Sequence, residues 1–189
     1  FVIVCGGGSI ARKYIDALRN SGVSEKLQSL SGISATRMNA RFMNYLFNQD
    51  AEYGIPHTAK ALEEYIKKRD IVFCGALEYK PNQTSDSTSA EIAKYFNTIF
   101  INLTNVQGLH DKNPLKYKNA KFIPEISWKE FHKIANGKKF KPGQHFVLDQ
   151  SGSEIIMKNK IVTYIVGKDL KQFDNLLNNK KFKGTVIRN

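Results

Sequence analysis

Hydrophobic and polar positions along this chain alternate between two spacings. Residues 1–5 (FVIVC), 70–76 (DIVFCGA), 98–104 (TIFINLT) and 161–167 (IVTYIVG) are short apolar runs rich in Val, Ile and Phe. Their lack of in–out alternation predicts strands buried on both faces. Between them, residues 9–21, 36–47, 58–69, 88–97, 127–137 and 169–178 carry apolar side chains at helical spacing. A further helix follows QHFVLDQ, and KGTVIRN ends the chain as a short strand. Residues 24–31 read as a helical turn or loop, and 105–124 as a long loop. In the 36–47 helix, Met38, Phe42, Tyr45 and Leu46 form one apolar face. Strands alternating with amphipathic helices predict an α/β fold: a three-layer αβα sandwich with a mostly parallel central sheet. No repeat, linker or boundary divides the 189 residues, so a single domain is expected.

Composition narrows this little. The chain is 41% hydrophobic and 24% charged, the balance of an ordinary globular protein. No apolar run approaches the ~20 residues that span a bilayer, and no signal-peptide pattern is present. Cys5 and Cys74 lie in strand-like runs, which suits buried free thiols in a reducing cytoplasm. The net charge of +12 comes mostly from dispersed lysines. With no nucleic-acid-binding motif, it argues for a pull on small anions rather than nucleic acid as the main partner.

In open α/β sheets, ligands bind where the strands end, and three strand ends here are unusual. The first is CGGGSIAR. Three glycines lead into a helix whose first turn carries Arg12, which suits a phosphate at a helix N-terminus; a tight packed turn is the plainer alternative. The pattern is neither GxGxxG nor a Walker loop. The second is EYKPNQTSDS, where Thr84, Ser85 and Asp86 are good helix caps and a candidate wall of the same site. The third is LTNVQGLHDKNP, a long loop in which Gly108 turns the chain. Asp149, before a helix, is either an N-cap or a carboxylate near phosphates. His57, His110, His132 and His145 show no metal-ligand spacing, and no nucleophile–base arrangement stands out.

Taken in order, GGGSIARKYI, SGISATRMNA, PNQTSDSTSAEIA, TNVQGLHDKNP, PGQHFVLD and KGTVI resemble the amino acid kinase superfamily, most of all its archaeal-type uridylate kinases. The resemblance covers essentially the whole chain. It implies transfer of the ATP γ-phosphate to UMP, with Mg²⁺, by a cytoplasmic enzyme. It implies catalytic roles for Arg12 and Asp149. Gly7, Ser29, Leu77, Pro81, Asn82, Gln83, Thr84 and Ser85 would hold UMP; Gly8, Arg12, Thr104, Asn105, His110 and Asn113 would hold ATP. Ser29 stands where the family usually has an aspartate on the ribose. The family's glycine pair is Gly75-Ala76 here, and its nucleotide loop reads Asn105-Val-Gln107-Gly-Leu109-His110. The family also begins with a further strand, glycine-rich loop and helix of roughly 35–40 residues, the size of one βα unit, so residues 1–5 correspond to its second strand. The resemblance implies a homo-oligomer, a dimer or a hexamer, with the 9–47 helices as interface. Two alternatives stay open: a kinase of the same fold with another phosphate or carboxylate acceptor, and a nucleotide-binding subunit without catalysis.

Overall fold

The computed structural model describes every residue except 53, 82, 113, 115 and 138–147. The described residues form two compact units, 1–88 and 89–189.

The first unit is built on β1 (Val2–Val4) and β2 (Val72–Cys74), paired in parallel with Val4 opposite Cys74. β2 is entirely buried. Between the strands come α1 (Gly8–Asn20), α2 (Glu25–Leu46) and α3 (Ala59–Ile66). Thr58 caps α3 by accepting from the Ala61 N–H at 3.0 Å. Phe73, Ala40, Ala51 and Ile55 make the core, with Cys5, Met43 and Ile71 packed on it.

α2 differs from expectation in two ways. It is one helix of 22 residues, which takes in most of the 24–31 stretch expected as a turn or loop. A side chain at Gly32 would come within 3.1 Å of Ile15 Cδ1 on α1, so this glycine lets two helices approach and does not end one. The buried face of α2 is also not the large apolar one. Ala35, Thr36, Ala40 and Asn44 are buried, while Phe42 is 62% and Leu46 64% exposed. Small residues bring the helix backbone close to β2, which leaves the large side chains outward.

α4 (Ser85–Tyr95) spans the junction of the units. The second unit holds β3 (Phe100–Leu103), β4 (Leu109–His110), β5 (Phe122–Ile123), β6 (Glu125–Ile126), α5 (Trp128–Gly137), α6 (Gln150–Asn159), β7 (Thr163–Val166), α7 (Leu170–Leu177) and β8 (Gly184–Ile187). Its sheet runs β3-β7-β8-β6. β3–β7 and β6–β8 are parallel and β7–β8 antiparallel. β4 and β5 form a small antiparallel pair inside the expected long loop. β3 is less covered than its apolar run predicts: Phe100 is buried but Leu103 is 50% exposed. Its place at the end of the strand order accounts for this. Phe131, Leu148, Ile156, Ile165 and Ile187 are completely buried at the centre. The Trp128 indole N–H donates to the Ile161 carbonyl at 2.9 Å. No helix among the described residues is long and apolar enough to cross a membrane.

Candidate active site

In the first unit, β1 and β2 end side by side, and the Cys5 N–H donates to the Cys74 carbonyl at 2.8 Å. The three glycines that follow have three different reasons. Gly7 is sterically required, because a Cβ there would stand 2.4 Å from Ala11 Cβ, a collision. Gly8 is conformationally required, at φ +59°. A Cβ on Gly6 would meet only Ser85 Oγ, at an ordinary 3.7 Å. The packed turn therefore accounts for Gly7 and Gly8, but not for Gly6.

α1 starts with Gly7 as N-cap, no side-chain cap and no acidic residue in its first turn. Its first backbone bond runs from the Ala11 N–H to the Gly7 carbonyl. Among the described residues, no carboxylate accepts from the earlier N–H groups at the positive end of the helix dipole. Arg12 is exposed, with no ion-pair partner among the described residues. This arrangement is suited to an anion.

The end of β2 is tied to α2. The Ala76 N–H donates to Thr36 Oγ1 at 2.9 Å, and Thr36 Oγ1 donates to the Ile33 carbonyl at 2.6 Å. Arg37 donates through Nε to the Ala76 carbonyl at 3.2 Å and through its terminal nitrogen to the Leu77 carbonyl. Asn39 Nδ2 donates to the Gly6 carbonyl at 2.7 Å. These α2 residues were visible only as part of a motif, because side chains that hold a backbone leave no sequence signal of their own.

Leu77 and Gln83 are half-buried and Pro81 is exposed. Thr84 caps α4: its Oγ1 accepts from the Asp86 N–H at 3.1 Å, while its own N–H donates to Ser87 Oγ at 2.8 Å. Its hydroxyl is thus engaged as the capping reading expects. Ser85 lies against Gly6. Ser29 is exposed on α2, and its hydroxyl has no hydrogen bond among the described residues. Asn82 lies outside the described residues.

In the second unit, β3 and β7 end together, and the Thr104 N–H donates to the Val166 carbonyl at 2.9 Å. Thr104 and Asn105 are in loose contact, Oγ1 to Oδ1 at 3.5 Å. The loop that follows lies directly on Gly167, whose missing Cβ would stand 3.0 Å from the Val106 carbonyl oxygen and 3.1 Å from Gln107 Cα. Gly108 has φ +142°, and a Cβ there would meet Thr185 Oγ1 at 2.7 Å. Thr185 is completely buried. Its hydroxyl accepts from the Leu109 N–H at 2.8 Å and donates to the Ile123 carbonyl at 2.5 Å. His110 Nδ1 donates to the Gly108 carbonyl at 3.1 Å, and its ring stands 5.5 Å from that of Phe122. Asn113 and His145 lie outside the described residues.

Thr185, which the sequence presented only as part of KGTVI, is the pin of this loop. Thr185→Val keeps the shape but strands a buried N–H and a buried carbonyl. The expected cost is about 1–3 kcal/mol of stability, read by chemical denaturation. A change under about 0.5 kcal/mol would show that the loop is held by other contacts.

Asp149 is the N-cap of α6, accepting from the Gly152 N–H at 2.5 Å. Half-buried, it places a carboxylate at the start of a helix. His132 is structural: Nδ1 meets Ser153 Oγ at 3.0 Å and Nε2 meets Asn136 Nδ2 at 2.8 Å. Burial pushes the Cys5 thiol up to about 11 and that of Cys74 to about 12, so neither is a nucleophile at neutral pH. Among the described residues no three His, Cys, Asp or Glu side chains are placed to hold a metal.

Comparison with known proteins identifies the family. Residues 1–167 match the amino acid kinase family. The uridylate kinase of Methanobrevibacter smithii is 33% identical over 187 residues, covering 98% of this chain and 82% of that protein. That of Thermoplasma volcanium is 32% identical over 186 residues, covering 98% and 81%. The crystal structure of uridylate kinase from Archaeoglobus fulgidus superposes with a TM-score of 0.84 at 30% identity, over 98% of this chain and 83% of that one. UMP kinase from Bacillus anthracis, at 17% identity and a TM-score of 0.80, shares the fold. The chain therefore belongs to the amino acid kinase family, in its uridylate kinase branch.

Proposed function

We propose that this protein transfers the γ-phosphate of ATP to UMP. An oxygen of the UMP phosphate attacks the γ-phosphorus, the bond from that phosphorus to the β-phosphate oxygen breaks, and UDP and ADP leave. No covalent enzyme intermediate is needed, so the protein's task is to align two anions and neutralise their charge. The observation that carries this reading is the start of α1: a helix N-terminus with no acidic residue in its first turn and with exposed Arg12, free of any ion pair among the described residues, immediately after that turn.

In this reading Gly7, Ser29 and the stretch Leu77, Pro81, Asn82, Gln83, Thr84 and Ser85 hold UMP. Gly8 and Arg12 meet phosphates. Thr104, Asn105, His110 and Asn113 hold ATP, and Asp149 supplies the negative charge of the catalytic centre. Mg²⁺ binds mainly to nucleotide phosphates and needs only one or two protein carboxylates. The donor set here suits an ion carried on the nucleotide, with Asp149 the carboxylate assigned to its neighbourhood. The exposed Met38, Phe42, Tyr45 and Leu46 of α2 support a homo-oligomer, a dimer or hexamer; in this reading the enzyme works in the cytoplasm.

Arg12→Ala is expected to weaken nucleotide binding by about 1.5–3 kcal/mol, the range for a hydrogen bond to a charged group. That is roughly a ten- to 150-fold change in affinity. Calorimetric titration checks it, and an unchanged affinity would move the phosphate elsewhere.

Ser29 favours a second reading. A neutral, exposed hydroxyl offers a ribose less than a carboxylate does, which suits another small phosphate or carboxylate acceptor, or nucleotide binding without turnover. A coupled ADP-release assay with UMP, CMP, isopentenyl phosphate and an amino acid separates these. Selective turnover of UMP supports the proposal. Turnover of another acceptor changes the substrate, and UMP binding without turnover removes catalysis. Light scattering on the same sample reads the oligomer, and a monomer would refute that part.

A further inference from the structure

We infer that Thr36, Arg37 and Asn39 of α2 form a positioning device that fixes the backbone of the acceptor site and thereby sets the Michaelis constant for UMP. This rests on the proposed assignment of the glycine loop and the Leu77–Ser85 stretch to UMP. Strand ends leave backbone groups with no ladder partner, and such groups must be satisfied by side chains or water. Here three side chains from one helical turn satisfy four of them. Asn39 takes the Gly6 carbonyl, Thr36 the Ala76 N–H, and Arg37 the Ala76 and Leu77 carbonyls. The helix comes this close only because position 75 has no side chain, and its backbone sits where a Cβ would be.

Each residue suits the task. Thr36 is buried, and its own bond to the Ile33 carbonyl points a lone pair at Ala76. Arg37 spans two successive carbonyls with a planar fork, which a lysine ammonium does not reproduce. It has no carboxylate partner among the described residues. Its charge, with that of Arg41, also disfavours protonation of His57, whose pKa burial already lowers. A cation held on two successive carbonyls fixes the direction in which Leu77 leaves the strand. None of the three side chains needs to touch UMP; they act through the backbone that does.

The test uses the full chain and steady-state kinetics with UMP and ATP varied separately. Arg37→Ala should raise the KM for UMP roughly ten- to a hundredfold, the scale of a misplaced reactant. The KM for ATP should change little, and the protein should stay folded with a thermal midpoint lowered by only a few degrees, since two carbonyls lose their donor. Arg37→Lys should recover only part of the loss. Asn39→Ala, on the more exposed side chain, should raise the UMP KM with folding intact, and serves if Arg37→Ala does not fold. Equal changes in both KM values would make the role merely structural and overturn the inference. Full rescue by lysine would also overturn it, by showing that charge alone matters. Amide hydrogen exchange over residues 76–81 should rise in Arg37→Ala while β1 and β2 stay protected. Unchanged exchange overturns the positioning whatever the acceptor is. A wild-type protein that does not phosphorylate UMP overturns the functional reading instead.

Discussion

Asp149→Asn should give a folded protein that binds both nucleotides and no longer transfers phosphate. The substitution separates the two roles that Asp149 can play. As the N-cap of α6 it needs one oxygen to accept from the Gly152 N–H, and an asparagine oxygen does this as well as a carboxylate. What asparagine lacks is the charge. Losing it at a helix N-terminus costs about 0.3–1 kcal/mol through the helix dipole. At a centre where phosphate charge is redistributed, misplacing one electrostatic group costs roughly a hundredfold or more in kcat. The expected result is therefore a kcat at least about a hundredfold lower, a UMP KM within about twofold, and a nearly unchanged denaturation curve. Asp149→Ala removes cap and charge together, and should lose a further ~1 kcal/mol of stability. If Asp149→Asn turns over within about threefold of wild type, Asp149 is a cap and nothing more.

The legible parts of this molecule were those in which one residue type has one reason. Val72, Phe73 and Cys74 read as a buried strand and are one. The capping alternative read for Asp149 and for Thr84 is met, since both cap helices. Ambiguity entered where one residue serves several ends. Residues 24–31 read as a turn or loop apart from the 36–47 helix, yet both belong to continuous α2, in which Gly32 is a contact between helices. Met38, Phe42, Tyr45 and Leu46 marked an apolar face correctly, but helical spacing does not say whether a face meets the chain's own core or solvent. β8 runs antiparallel to β7 although a helix, α7, connects them, and strand direction has no signature in composition. Thr36, Arg37, Asn39 and Thr185 were the least visible. A threonine that pins a loop and one that faces solvent look alike until the loop's backbone is placed. Three adjacent glycines likewise read as one signal, though the structure divides them into three.

That division makes the glycines at the strand ends the sharpest test of what belongs to the chain and what to the ligand. Gly75→Ala should destabilise the protein by about 3 kcal/mol or more, the upper end for overpacking, and abolish efficient use of UMP. The new Cβ would lie 2.6 Å from the Arg37 nitrogen and from Thr36 Oγ1, and 2.7 Å from the Thr36 carbonyl carbon. Two of these are backbone atoms of α2, which no rotamer change can move. Either α2 retreats from β2, breaking the Thr36 and Arg37 bonds to residues 76 and 77, or the strand end buckles. Chemical denaturation reads the loss, and a cost under about 1 kcal/mol would mean that α2 is free to shift. Gly6→Ala is the matched control. Its Cβ would meet Ser85 Oγ at 3.7 Å, an ordinary contact, so stability should change by no more than about 0.5 kcal/mol. If the UMP KM nevertheless rises, position 6 is glycine because a ligand comes close to it. If neither stability nor KM moves, the acceptor does not approach the end of β1, and the assignment of that loop to UMP fails with it.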